Sequence, residues 1–136
     1  TWLRSLLGRH FFDRVDCVHL RGQHVQDISQ LAHFSDLEQL KIRHSRVHDI
    51  SALGGLRKIK ILYLVESDVR DLSPLSELTG LRSLNLMHTP VDDSQLKYLY
   101  HLDQLVSVNL RETNVTREGV RNLARELPDC RIEADF

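Results

Sequence analysis

Residues 59–69 read Ile59-Lys60-Ile61-Leu62-Tyr63-Leu64-Val65-Glu66-Ser67-Asp68-Val69. Apolar residues stand at Ile59, Leu62, Leu64 and Val69, and the Leu62/Leu64 alternation has the period of a strand with one buried face. The same spacing returns one unit later at Leu81, Leu84, Leu86 and Val91, and one unit earlier at Leu37, Leu40, Ile42 and Val47. Further out it recurs at Leu105, Val108, Leu110 and Val115, and in degenerate form at Val15, Val18, Leu20 and Val25. A shortened copy, Leu127, Cys130 and Ile132, stands last. In this alignment the second members of the apolar pairs lie 22, 22, 22, 24 and 22 residues apart. A period of this size predicts a solenoid, in which each repeat stacks only on its neighbours and the core is built in slices. Such an architecture offers a broad binding surface rather than a deep catalytic pocket.

The unit L-x-x-L-x-L-x-x-(S/T)-x-V resembles the leucine-rich repeat family over roughly residues 15–136. That resemblance implies short parallel strands with leucines pointing inward and the alternating residues lining a concave face. The expected fold class is therefore α/β: a leucine-rich repeat solenoid, a right-handed β/α horseshoe with a concave parallel sheet of about six short strands. The family often carries Asn where this chain has Gln23, Ser45, Ser67, Thr89 and Thr113. Ser and Thr hydroxyls can satisfy backbone groups at the turn over a shorter reach. The T-x-V variant and the L-P-x-C of Leu127–Cys130 resemble bacterial members of the family, particularly those abundant in planctomycetes.

The return segments come in two kinds. Asp27–Leu31, Asp49–Leu53 and Asp71–Leu75 share D-(I/L)-S-x-L, and the room left between strands allows only a short helical or 3₁₀ turn. Pro74 after Ser73 suits a first helical position. Asp93–His101 and Thr116–Leu127 carry apolar residues at helical spacing and are expected to be longer helices, the second with Thr116 as N-cap and Pro128 as its stop. Residues 1–14 break the repeat. Trp2, Leu3, Leu6, Leu7, Phe11 and Phe12 read as an N-terminal capping helix over the open core of the first repeat. The alternative for this segment is a membrane-surface helix, for which Arg4, Arg9 and His10 supply little positive charge.

Length and composition fit a single domain with an aliphatic core. The balance of 18 Lys+Arg against 19 Asp+Glu argues against a nucleic-acid ligand. No apolar run approaches a membrane span. The first residue is Thr1, so the native chain is expected to extend further. Cys17 and Cys130 fall in the first and last strands, five steps of about 4.8 Å apart, which excludes a disulfide between them.

The repeat register places five ladders on the concave face. The first two strands contribute Arg21, Lys41, Arg43 and Arg46 without a carboxylate, and the middle contributes Ile61, Tyr63, Val65 and Met87. A basic flank beside an apolar centre is the pattern of an interaction hot spot with a steering rim. The residues expected to contact a partner are Lys41, Arg43, Tyr63, Val65, Met87 and Arg111. The alternative is that the apolar ones only cover neighbouring strands. The expected partner is another protein or peptide with acidic and apolar features. His44, Glu66 and His88 share one ladder and could hold a metal ion, although a hydrogen-bonded His–Glu–His row is the simpler expectation. Arg131 is placed beside Asn109, and Glu133 beside Arg111.

No phosphate-binding glycine loop, zinc-protease, Cys-x-x-Cys or nucleophile-elbow motif occurs, and no nucleophile, base and acid converge. The expected function is a non-enzymatic protein–protein interaction module working through the concave face, with no cofactor. The alternative is a structural or regulatory scaffold segment of a longer chain, packing or self-associating through its last strand or its convex side.

Overall fold

The computed structural model describes residues 15–136. The capping helix expected over 1–14 lies outside the described residues.

Six strands form one parallel sheet in chain order: β1 (Cys17–Arg21), β2 (Gln39–Arg43), β3 (Ile61–Val65), β4 (Ser83–Asn85), β5 (Ser107–Asn109) and β6 (Arg131–Glu133). Every neighbouring pair is parallel. Within each strand the apolar residues point to the core and the intervening ones point out. Val18, Leu40, Leu62, Leu84 and Val108 form one buried file, and Leu20, Ile42, Leu64, Leu86 and Leu110 form the next. Burying each such side chain contributes roughly 1.5–3 kcal/mol.

The strands shorten for a local reason. At β4 and β5 the third residue is Asn, and its side-chain oxygen takes the N–H two residues on. Asn85 Oδ1 accepts from Met87 N at 2.9 Å, and Asn109 Oδ1 from Arg111 N at 3.0 Å. That N–H leaves the ladder and the strand stops. Lys41 and Tyr63, which have no such acceptor, occupy the same file in the longer β2 and β3.

Behind the sheet the chain returns through 3₁₀ turns at Ser29–His33, Ser51–Leu53, Ser73–Glu77 and Asp93–Leu99, and finally through one α-helix, α1 (Arg117–Glu126). Each early return is launched by an aspartate. Oδ1 of Asp27, Asp49, Asp71 and Asp92 accepts the N–H of Ser29, Ser51, Ser73 and Ser94 at 2.8, 2.9, 2.8 and 3.0 Å. Thr116 caps α1 as expected, accepting from Gly119 N at 3.2 Å. The return at Asp93–Leu99, read from sequence as a longer helix, is a seven-residue 3₁₀ segment.

Hydroxyls replace the family's asparagine at the turns after β2 to β5. The Oγ atoms of Ser67, Thr89 and Thr113 donate to the carbonyls of Leu64, Leu86 and Leu110 at 2.9, 2.7 and 2.7 Å. Gln23 reaches further and donates to the carbonyl of His44 in the next repeat at 3.1 Å.

The last repeat corrects the sequence alignment. Ile132 pairs with Val108, not Leu110, and Ser107 with Arg131. Counted on the first buried file, the strands are 22, 22, 22, 24 and 24 residues apart. The return through α1 needs the two extra residues. Leu127-x-x-Cys130-x-Ile132 imitates the repeat pattern two residues early, with Leu127 at the C-cap of α1. Glu133 therefore stands beside Asn109, and Arg131 beside Ser107. Both cysteines are free thiols at opposite ends of the sheet.

Candidate functional site

The outward residues of the strands form files across the concave face. The central file runs His19, Lys41, Tyr63, Asn85, Asn109 and Glu133. Adjacent strands lie about 4.8 Å apart, so neighbouring side chains in this file meet.

Tyr63 is the hub of the basic end. The Lys41 ammonium lies 5.3 Å from its ring centroid and the Arg43 guanidinium 6.0 Å. These cation–π contacts hold both long side chains beside an aromatic face. Among the described residues no carboxylate forms an ion pair with Arg21, Lys41, Arg43 or Arg46. Lys58 and Lys60, away from this face, are matched by Asp36 and Glu38 at 2.5 and 2.9 Å. The structure thus joins Lys41, Arg43 and Tyr63 in one cluster. Met87 is half-buried two residues past Asn85, and Arg111 is exposed near the far end, 3.9 Å from Glu133.

Val65, also expected as a contact, lies in the outward register opposite Arg43 with only 7% of its surface accessible.

Beyond Tyr63 the face sinks into a shallow hollow of about 130 Å³. Its walls are Tyr63, Ser83, Asn85, Ser107, Asn109 and Glu133. Ser83 and Ser107 share a hydrogen bond at 3.2 Å. Sequence reasoning missed this hollow because it misplaced Glu133 by one file. The Asn85/Asn109 adjacency was legible in the repeat register.

The ladder proposed for a metal divides into pairs. His44 Nδ1 meets Glu66 Oε2, and His88 Nδ1 meets Glu112 Oε2 at 2.8 Å. Among the described residues no group of three or more His, Cys, Asp or Glu side chains is placed to hold a metal ion. The hydrogen bond that His88 donates to Glu112 raises the His88 pKa above its ordinary value, against a smaller opposing effect of burial. All four residues, His44, Glu66, His88 and Glu112, have left-handed backbone, with φ of 53°, 53°, 57° and 55°. Gly22, at φ 118°, holds the same place in the first repeat. For a residue with a Cβ that conformation costs of order 1 kcal/mol. A positive φ thus stands at this place after each of β1 to β5.

Among the described residues no helix is long and apolar enough to cross a membrane. No protein-family model matches the chain, and no curated protein matches it. Solved structures do. An internalin (inlF) from Listeria monocytogenes is 31% identical, with a TM-score of 0.73 over 82% of this chain and 32% of that one. An internalin C2 (inlC2) from the same species is 21% identical, with a TM-score of 0.71 over 87% of this chain and 53% of that one. A plant peptide hormone receptor, solved in complex with RGF2, is 14% identical, with a TM-score of 0.59 over 79% of this chain and 18% of that one. This chain thus spans about half or less of the length of each. The likeness to planctomycete proteins rests on the sequence pattern alone. With six parallel strands in an unclosed sheet, a repeated L-x-x-L-x-L register and these neighbours, the chain is a leucine-rich repeat protein.

Proposed function

We propose that this chain is a non-enzymatic protein-interaction module that binds a protein or peptide partner through its concave sheet. The carrying observation is the Lys41–Tyr63–Arg43 cluster, an aromatic ring approached by two cations of the neighbouring strand that no described carboxylate pairs with. Tyr and Arg anchors of this kind dominate binding energy at interfaces. Met87 and Arg111 extend the contact toward the far end, and an acidic, partly apolar partner complements the whole. The receptor neighbour solved with a peptide hormone supports the reading at the level of the fold.

The test is affinity capture from source-cell lysate. The bait is the wild-type chain, compared with an Arg43→Glu, Tyr63→Ala variant whose fold is verified by circular dichroism. A protein retained by the first and lost by the second supports the reading. Equal capture by both moves recognition to the convex side or the β6 edge and favours a scaffold role.

A further inference from the structure

We infer that the concave face receives an extended, acidic segment of another protein, with its main-chain carbonyls seated on Asn85 and Asn109. The inference rests on the proposal that the concave face is the binding surface, and it adds the conformation and chemistry of the occupant.

Asn85 and Asn109 are register partners on adjacent strands, about 4.8 Å apart. Each has its side-chain oxygen committed to a backbone N–H, that of Met87 and that of Arg111. The oxygen must face the donor, so the orientation of each amide follows from its own strand end. Each Nδ2 then points away from that turn. Among the described residues neither Nδ2 makes a hydrogen bond to protein. Two oriented amide donors thus stand side by side in the wall of the hollow, next to the paired hydroxyls of Ser83 and Ser107.

The hollow demands acceptors from its occupant. An α-helix cannot supply them along its length, because its carbonyls are bonded internally except in the last turn. An extended segment leaves carbonyls free at its edge. Charge selects further. Lys41 and Arg43 lie on one side of the hollow. On the other, the Glu133 carboxylate is matched by Arg131 at 3.0 Å and Arg111 at 3.9 Å. The whole chain carries a net charge of −1, so the unpaired cations at Lys41 and Arg43 are a local concentration of positive charge. From Lys41 to Asn109 is three strand steps, roughly 14 Å, which an extended chain covers in about four residues. The occupant therefore carries an Asp or Glu about four residues from the stretch that lies in the hollow.

A displayed library of random dodecapeptides, selected on the whole chain, tests this. Two variants accompany the wild type: Lys41→Glu, Arg43→Glu, and Asn85→Ser, Asn109→Ser. The serines are uncharged and can still accept the N–H two residues on, so the strand ends persist while the amide donors go. Thermal melts verify both folds. We expect acidic peptides that tolerate a central proline and lose about tenfold or more in affinity against each variant. Peptides that fail on the first variant but bind the second equally, or that are helical in solution, overturn the extended occupant while leaving concave binding intact. Peptides indifferent to both variants overturn both readings. A selection that enriches nothing overturns this inference, and the lysate capture then decides concave binding by itself.

Discussion

A Cβ placed on Gly119 would stand 2.1 Å from Oδ1 of Asp93, in the preceding repeat. That oxygen is held in place: it accepts from Thr116 N at 2.8 Å, while Oδ2 accepts from the Thr116 hydroxyl at 2.5 Å. One carboxylate thus ties the return segment of the fourth repeat to the first turn of α1. Gly119 is present because the carboxylate occupies the volume a side chain would need. Gly119→Ala would gain about 1 kcal/mol of helix propensity. Displacing Asp93 and overpacking the contact cost about 1–3 kcal/mol. The expected net loss is about 1 kcal/mol in urea unfolding. In an Asp93→Ala background the same substitution should become neutral or stabilising, a non-additivity that a double-mutant cycle reads directly.

Val65 and Met87 sit in the same outward file and should behave oppositely. Val65 is buried and Met87 is half-exposed. Val65→Ala should lower stability by roughly 1–2 kcal/mol, because it opens a gap beneath the face. Met87→Ala should change stability by about 0.5 kcal/mol or less. If Met87 contacts a partner, its variant loses affinity at nearly unchanged stability. Parallel denaturation and binding measurements separate the two effects.

The His88–Glu112 pair has a signed pH dependence. The Glu112 hydrogen bond raises the His88 pKa above 6.5. The pair therefore stabilises the fold fully below that value and loses its contribution as pH rises through the raised pKa. An NMR titration of the imidazole protons should show His88 titrating above the ordinary histidine range. Glu112→Gln should move that midpoint down. An unchanged midpoint would rule out Glu112 as the cause.

The aspartates that launch the return segments act in the opposite sense. The backbone N–H of Ser29 and that of Ser51, with a smaller effect from each hydroxyl, hold the carboxyls of Asp27 and Asp49 below the ordinary 3.8. Their stabilisation is present above 3.8 and is lost as pH falls through the lowered values. Asp27→Asn, Asp49→Asn keeps an acceptor for each N–H and removes the titration. The variant's stability should fall less steeply in acid than the wild type's, measured as urea midpoints across the carboxylate range.

Reading the repeat from sequence worked wherever a residue's role depended on its own period. Leu40/Ile42, Leu62/Leu64 and Leu84/Leu86 each report inward orientation locally, and hydroxyls at Ser67 and Thr89 have a turn role that their chemistry suggests. It failed where the role depended on what neighbouring repeats do. Cys130 and Ile132 match the apolar pair, but the length of α1 decides that Ile132 alone enters the buried file facing Val108. Val65 alternates outward, yet it is buried, which its own spacing does not report. Residue spacing also carries no backbone sign, so the left-handed turns at His44, Glu66, His88 and Glu112 were invisible.

The lengthening of the last two repeats bears on shape. Strand spacing on the inner side is held near 4.8 Å by hydrogen bonding, whereas an α-helix on the outer side needs about 10 Å of width and a 3₁₀ turn is slimmer. Among the described residues only α1 makes that demand. Element widths therefore predict an arc that is tighter where β5 and β6 approach α1 than under the basic strands. A rigid straight ligand could lie flush on Lys41 and Tyr63 and still lift away over Asn109. Full engagement selects for a ligand that can bend partway along its length.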